Sequence, residues 1–220
     1  MSPHSKRIGA VILAAGGSSR LGQPKQLLPF RGKTLVRIVV DAACEAGCSP
    51  IVAVIGSDAE KIGPDLADTS IIKVRNTNWQ RGIGGSIRIG VEGMIAHAPD
   101  VEAILLLVSD QPAVNARTIK GLVAMHEATR RDIAASRYAG TLGVPALFDR
   151  SFFEELLSLD DESGAKSIIL QNRERVAQFA FPEGVIDIDT WEDWEKLNGG
   201  SASPKTMGAA VTKIAIRQRR

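Results

Sequence analysis

The 220-residue chain is 44% hydrophobic, enough to bury a substantial core as one domain. Its 27 Lys and Arg against 25 Asp and Glu leave a formal net charge of +2, which argues against nucleic-acid binding through a bulk positive field. Two cysteines exclude a disulfide framework or a Cys-rich zinc site; the absence of a membrane-length apolar run and of a secretory pattern at Met1 to Arg7 makes the cytoplasm the expected compartment, with no membrane partner.

Taken in chain order, apolar runs at 8–13, 51–55, 71–74 and 103–108 read as buried strands. Helical periodicity over 34–46, 59–66, 84–96 and 116–130 separates them. Strands that are apolar on both faces and alternate with helices predict a three-layer α/β/α sandwich on a mainly parallel sheet. After Arg131 the pattern loosens into strands at 133–138, 176–180 and 184–188 with short helices, so antiparallel members are expected in the C-terminal half. Gly, Ser and Pro followed by basic residues from Asn198 predict a flexible basic tail at 198–220, leaving a domain at 1–197. Cys44 and Cys48, four apart on a helical pattern, are expected to be buried helix thiols, and His4, His97 and His126 form no sequence cluster and are expected at the surface.

The first strand runs into "LAAGGSSRLGQPK", residues 13–25. In a parallel sheet, ligands bind outside the carboxyl ends of the strands. Glycines let backbone N–H groups approach oxygen atoms, a following helix start adds unpaired donors, and Arg20 and Lys25 add full positive charge, so the loop suits a phosphate. It is not a Walker motif, because Gln23-Pro24 stands where Lys and Ser or Thr are needed after Gly17 to Gly22. Gly16, Gly17 and Gly22 do not form the G-x-G-x-x-G fingerprint either. A tight turn with exposed basic side chains is the competing structural reading.

Leu13, Ala14, Ala15, Gly16, Ser18, Arg20, Gly22 and Lys25 match the nucleotidyltransferase signature L-A-A-G-x-S-x-R-x-G-x-x-K. Over about residues 8–197 the chain resembles the MobA/MocA-like nucleotidyltransferases, most of all the molybdenum cofactor (molybdopterin) cytidylyltransferases. The resemblance implies a Rossmann-like sheet of the nucleotide-diphospho-sugar transferase type. It also implies that Leu13, Ala14, Ala15, Gly16, Ser18, Arg20 and Lys25 bind the nucleotide, with Lys25, expected to be exposed, and Arg20 acting on the phosphates. "NTNWQRGIGGSIRIG" resembles the segment against base and ribose, through Asn76, Trp79, Gly82 and Ser86; Trp79 suits packing as well as contact. Ala14-Ala15 resembles the pyrimidine-using branch, which implies CTP rather than GTP.

"VSDQP" places Asp110 just past an apolar strand, where a carboxylate facing a triphosphate needs a divalent cation, Mg2+, between them. The alternative is a helix or turn cap. In "DIDTWEDW", Asp187 and Asp189 alternate on the expected strand and share a face. Asp189 is the expected second metal ligand, with Asp187 beside it, while Thr190 and Asp193 have the spacing of a capping box. The acceptor stretch is expected around Gly143 and Pro145, although Val144 stands where the relatives often carry His. The resemblance thus implies transfer of CMP from CTP, or of another nucleotide, to molybdopterin with release of pyrophosphate, and a recipient molybdoenzyme as partner. A sugar or polyol phosphate acceptor, or a non-catalytic nucleotide-binding maturation partner, remains open.

Overall fold

A computed structural model describes residues 6–198. The tail expected beyond that point lies outside the described residues, as does His4. Among the described residues nine strands are found: β1 (Ile8–Ala14), β2 (Pro29–Phe30), β3 (Lys33–Thr34), β4 (Ile51–Ile55), β5 (Ile72–Arg75), β6 (Ala103–Val108), β7 (Ile133–Tyr138), β8 (Thr141–Asp149) and β9 (Val176–Ala180). The helices are α1 (Leu35–Ala46), α2 (Ala59–Asp65), α3 (Ile83–His97), α4 (Ala116–Thr129), α5 (Phe153–Leu157), α6 (Ala165–Gln171) and α7 (Trp191–Leu197). β2 and β3 form a small hairpin, and the other seven strands form one sheet in the order β5-β4-β1-β6-β8-β7-β9.

Successive β1 side chains point to opposite faces, and each face builds its own core. Ala10, Ile12 and Ala14 pack with Val36, Val39 and Val40 of α1, Ile62 of α2 and Leu122 of α4. Val11 and Leu13 pack with Ile87, Val91 and Met94 of α3, Leu156 of α5 and Ile169 of α6. This is the expected three-layer sandwich. Gly90 lets α3 lie close on the sheet, since a Cβ there would fall 2.4 Å from Val11 Cγ1. A third, smaller core joins Leu21, Leu28, Phe30 and Leu35 to Ile188 and Trp194, clamping the C-terminal segment over the first loop.

β1, β4, β5 and β6 are mutually parallel, whereas β8 runs antiparallel to both β6 and β7. β8 is thus the source of the expected antiparallel character, although its sequence, interrupted by Gly143 and Pro145, does not read as a strand. The strand expected at 184–188 is absent: Pro182–Val185 is a single 3₁₀ turn followed by unpaired chain. Cys48 is buried but lies beyond the Gly47 cap of α1, and Cys44 is exposed on it, so the pair is not two buried helix thiols. His97 is exposed as expected. His126 is buried, with Nε2 3.5 Å from Asp149 Oδ2, because it faces the sheet from α4 rather than solvent. No helix among the described residues is long and apolar enough to cross a membrane.

Candidate active site

The parallel strands β1 and β6 deliver their following loops to one sheet edge. Leu13 pairs with Val108, and Ser109 N–H donates to the Leu13 carbonyl at 3.2 Å. The loop after β1 is fixed internally. Ser18 Oγ accepts from Lys25 N–H at 2.7 Å, and the Ser18 carbonyl accepts from Leu21 and Gly22. Buried Gln26 donates to the carbonyls of Ala14 and Gly16 at 3.2 and 2.8 Å. Ser18 therefore shapes the loop through its hydroxyl. The expected helix start does not follow directly: Lys25–Leu27 is one 3₁₀ turn and α1 begins only at Leu35, so the backbone donors just after β1 belong to the loop and not to a helix. Arg20 is exposed on the outer turn.

Lys25 is the largest departure from expectation. Its side chain is only 14% exposed, with Nζ 2.6 Å from Asp110 Oδ2 and 2.7 Å from Asp189 Oδ1. Burial works against the charge, yet the two carboxylates together raise the ammonium pKa above its ordinary value. Asp110 follows β6, and the Ile188 N–H donates to the Asp110 carbonyl at 3.2 Å. Because Ile188 is sequestered in the third core, Asp187 and Asp189 are presented on either side of it. Burial, then repulsion from Asp189 and Asp110, pushes the Asp187 carboxyl up.

Neither Asp110 nor Asp189 caps a helix. Asn115 caps α4 by accepting from Arg117 and Thr118, and Thr190 with Asp193 forms the capping box of α7. The Asp110 and Asp189 carboxylates thus converge on one cation with no structural duty to a helix end. Such a donor set fits a divalent ion that takes its remaining ligands from phosphate and water. Among the described residues no group of three or more His, Cys, Asp or Glu could hold a metal on its own.

The opposite wall comes from the segment before α3. Asn76 Nδ2 donates to Ser86 Oγ at 3.0 Å, and both residues are buried. Gly82 holds a φ of +135°, and a Cβ there would lie 2.0 Å from the Asp161 carbonyl oxygen; only glycine satisfies both conditions. That oxygen accepts from Gly84 N–H at 3.0 Å, while the Asp161 carboxylate pairs with Arg81 at 2.7 Å and with Arg88, whose guanidinium also donates to the Leu159 carbonyl. Asp161 is a structural residue of the site that sequence reasoning missed; the adjacent acids Asp160-Asp161 before Ser163-Gly164 were its only signal.

Between these walls lies a cleft of about 330 Å³, lined by Leu13, Ala15, Gly16, Lys25, Trp79, Gly82, Ser86 and Asp110 among others. Trp79 closes over the loop: a Cβ on Gly17 would meet its indole at 2.5 Å. Ala14, Ser18, Asn76 and Asp189 stand behind or beside the lining. Gly143 and Pro145 lie on β8 at the same sheet end but outside the cleft. They are tied to it by buried Gln111, which donates to the Gly184 and Val144 carbonyls at 3.1 and 3.4 Å, while the Pro145 carbonyl accepts from Ser136 at 2.7 Å.

A sequence profile of the MobA-like NTP transferase domain matches residues 10–176. Nicotine blue oxidoreductase of Paenarthrobacter nicotinovorans is 34% identical over 129 residues, which cover 58% of this chain and 61% of that protein, under two-thirds of its length. Rv0371c of Mycobacterium tuberculosis H37Rv superposes with a TM-score of 0.76 at 31% identity, covering 88% of this chain and 97% of that one. A structure of Rv0371c in complex with manganese gives 0.72 at 29% identity, covering 87% and 98%. The glycine-rich loop at the edge of a mainly parallel sheet, the profile match across most of that sheet and the near-complete overlap with Rv0371c agree: this chain belongs to the MobA-like NTP transferase domain family of nucleotidyltransferases.

Proposed function

We propose that the protein transfers a nucleotidyl group, CMP from CTP, to a phosphate-monoester acceptor, molybdopterin foremost, and releases pyrophosphate. The observation that carries this reading is the convergence of Asp110, Asp189 and Lys25 at the mouth of a glycine-rich cleft. The triphosphate would lie along the backbone N–H groups of the loop after β1, with the base toward Gly82 and Ser86 and the exposed Arg20 reaching the outer phosphates. Lys25 would neutralise charge that develops at the α-phosphate. An acceptor phosphate oxygen attacks the α-phosphorus in line, a new P–O bond forms, and the bond to the β-phosphate oxygen breaks with its electron pair leaving on pyrophosphate. The acceptor is already anionic, so no protein base has to remove a proton, and the chain contributes positioning and charge neutralisation. Mg2+, held by Asp110 and Asp189, would supply Lewis-acid polarisation of the phosphoryl oxygens; the manganese complex of Rv0371c supports a divalent ion in this family.

The name of the Paenarthrobacter relative motivates a second reading, a reductase that uses the same cleft for a dinucleotide. One experiment separates the possibilities. The purified protein is incubated with Mg2+, each of the four nucleoside triphosphates and a panel of acceptors comprising molybdopterin, sugar phosphates and polyol phosphates, and pyrophosphate is assayed. A parallel arm follows NADH and NADPH oxidation with quinone-like dyes. Pyrophosphate release with CTP and molybdopterin is the expected result. Release with a sugar or polyol phosphate alone would replace the acceptor, nucleotide binding without release would favour a non-catalytic maturation partner of a molybdoenzyme, and pyridine nucleotide oxidation would favour the reductase.

A further inference from the structure

Lys25 lies where two roles compete. Its Nζ bonds both carboxylates that would hold the metal, yet its side chain also lines the cleft that would hold the triphosphate. The backbone beneath it is pinned by the Ser18 bond to Lys25 N–H and by Gln26 across the loop, so exchange between the two partners needs only side-chain rotation. A divalent ion between Asp110 and Asp189 would sit against an ammonium that already takes the facing oxygen of each. Like charges at such range in a partly dry site repel strongly. Moving the ammonium away from both acids requires another anion, and phosphate oxygens in the cleft would supply it.

We infer that Lys25 is a resident surrogate cation that closes the metal site until a nucleotide draws it away, so that the divalent ion and the triphosphate bind with positive coupling rather than independently. The inference rests on the metal-dependent reading above. Coupling of this kind is reciprocal: the nucleotide raises metal affinity by the factor by which the metal raises nucleotide affinity. It also gives Asp110 and Asp189 a bound cation at every stage, which avoids leaving a group of three neighbouring carboxylates uncompensated.

The test measures binding of Mn2+ alone, by electron paramagnetic resonance of the free ion, to the full chain and to Lys25→Met and Lys25→Gln, both of which are one atom shorter and lose the charge. Without nucleotide, each variant should bind Mn2+ at least about tenfold more tightly than wild type, a difference on the order of that caused by one nearby charge. Wild-type protein should show a rise in melting temperature with Mn2+ plus CTP that exceeds the sum of the rises with either alone. Equal Mn2+ affinity in wild type and a folded variant, or a simple sum of the wild-type melting shifts, would overturn the inference. Asp110→Asn separates this failure from that of the underlying reading: if it leaves Mn2+ binding in the presence of CTP unchanged, the metal does not sit at these acids at all.

Discussion

Asp110 and Asp189 hold the same ammonium, but in different surroundings, so their loss should cost the metal-free protein different amounts. Asp110 is 21% exposed against 14% for Lys25, whereas Asp189 is 49% exposed. A charged hydrogen bond at 2.6 Å in the drier position is worth about 1.5–3 kcal/mol. Relief of repulsion on Asp187 trims this, so Asp110→Asn should destabilise by about 1–2 kcal/mol. The half-exposed Asp189 pair is screened by solvent and should cost about 0.5 kcal/mol. With one acid left, Lys25 keeps a partner; with neither, a mostly buried ammonium is unpaired, so the double variant should lose more than the sum of the single losses. Urea unfolding of the four proteins in EDTA measures all three quantities. Asp189→Asn costing as much as Asp110→Asn, or strict additivity, would refute this account of the pair. In the activity assay each single substitution should also raise the Mg2+ concentration needed for half-maximal rate, because an amide keeps the shape and loses the charge.

Gly84→Ala would place a Cβ 1.8 Å from the Asp160 carbonyl oxygen and 2.8 Å from that of Ser163; since backbone cannot yield as a side chain can, it should cost about 1–3 kcal/mol and weaken nucleotide binding, read by thermal melting and by equilibrium titration. Burial pushes the Cys48 thiol up to about 11, so alkylation of native protein at about pH 8 should modify exposed Cys44 first, with peptide mass mapping as the readout. His126 and Lys6 hold the Asp149 carboxyl well below the usual carboxylate range despite its partial burial. This stabilisation is fully present above the ordinary aspartate pKa and is lost as pH falls through the depressed native value, so Asp149→Asn should lower the melting temperature near neutral pH and flatten its fall in acid.

The parts of the molecule legible in sequence are those whose cause is local. β4 and β6 are apolar on both faces because helices cover both, and α1 and α4 advertise their periodicity. The loop after β1 carries its chemistry in thirteen consecutive letters. β8 was hidden because Gly143 and Pro145 interrupt its apolar run, and its pairing with β7 shifts register at Ala135/Ser136. Residues 184–188 mimic a strand through the β-branched Val185, Ile186 and Ile188, but the segment is held by Ile188 in the third core and by its N–H bond to Asp110, not by a ladder. A lysine in a glycine-rich loop also reads as solvated. Its partners lie 85 and 164 residues away in sequence, so no window of sequence contains the charge balance that buries it.

The clamp formed by the third core sets how the site would fail. Asp189 reaches Lys25 only because Ile188 and Trp194 anchor the last segment against Leu21, Leu28 and Phe30, a far smaller apolar cluster than those on the two sheet faces. Small, peripheral clusters open at a lower free energy than a central sheet. Opening this one would carry off one of the two carboxylates while β1, β6 and the cleft floor stay intact, leaving a folded protein with half its cation grip. Heat should therefore silence the protein before it unfolds it, and a crosslink between the C-terminal segment and the β2–β3 hairpin would extend the working temperature without strengthening the sheet.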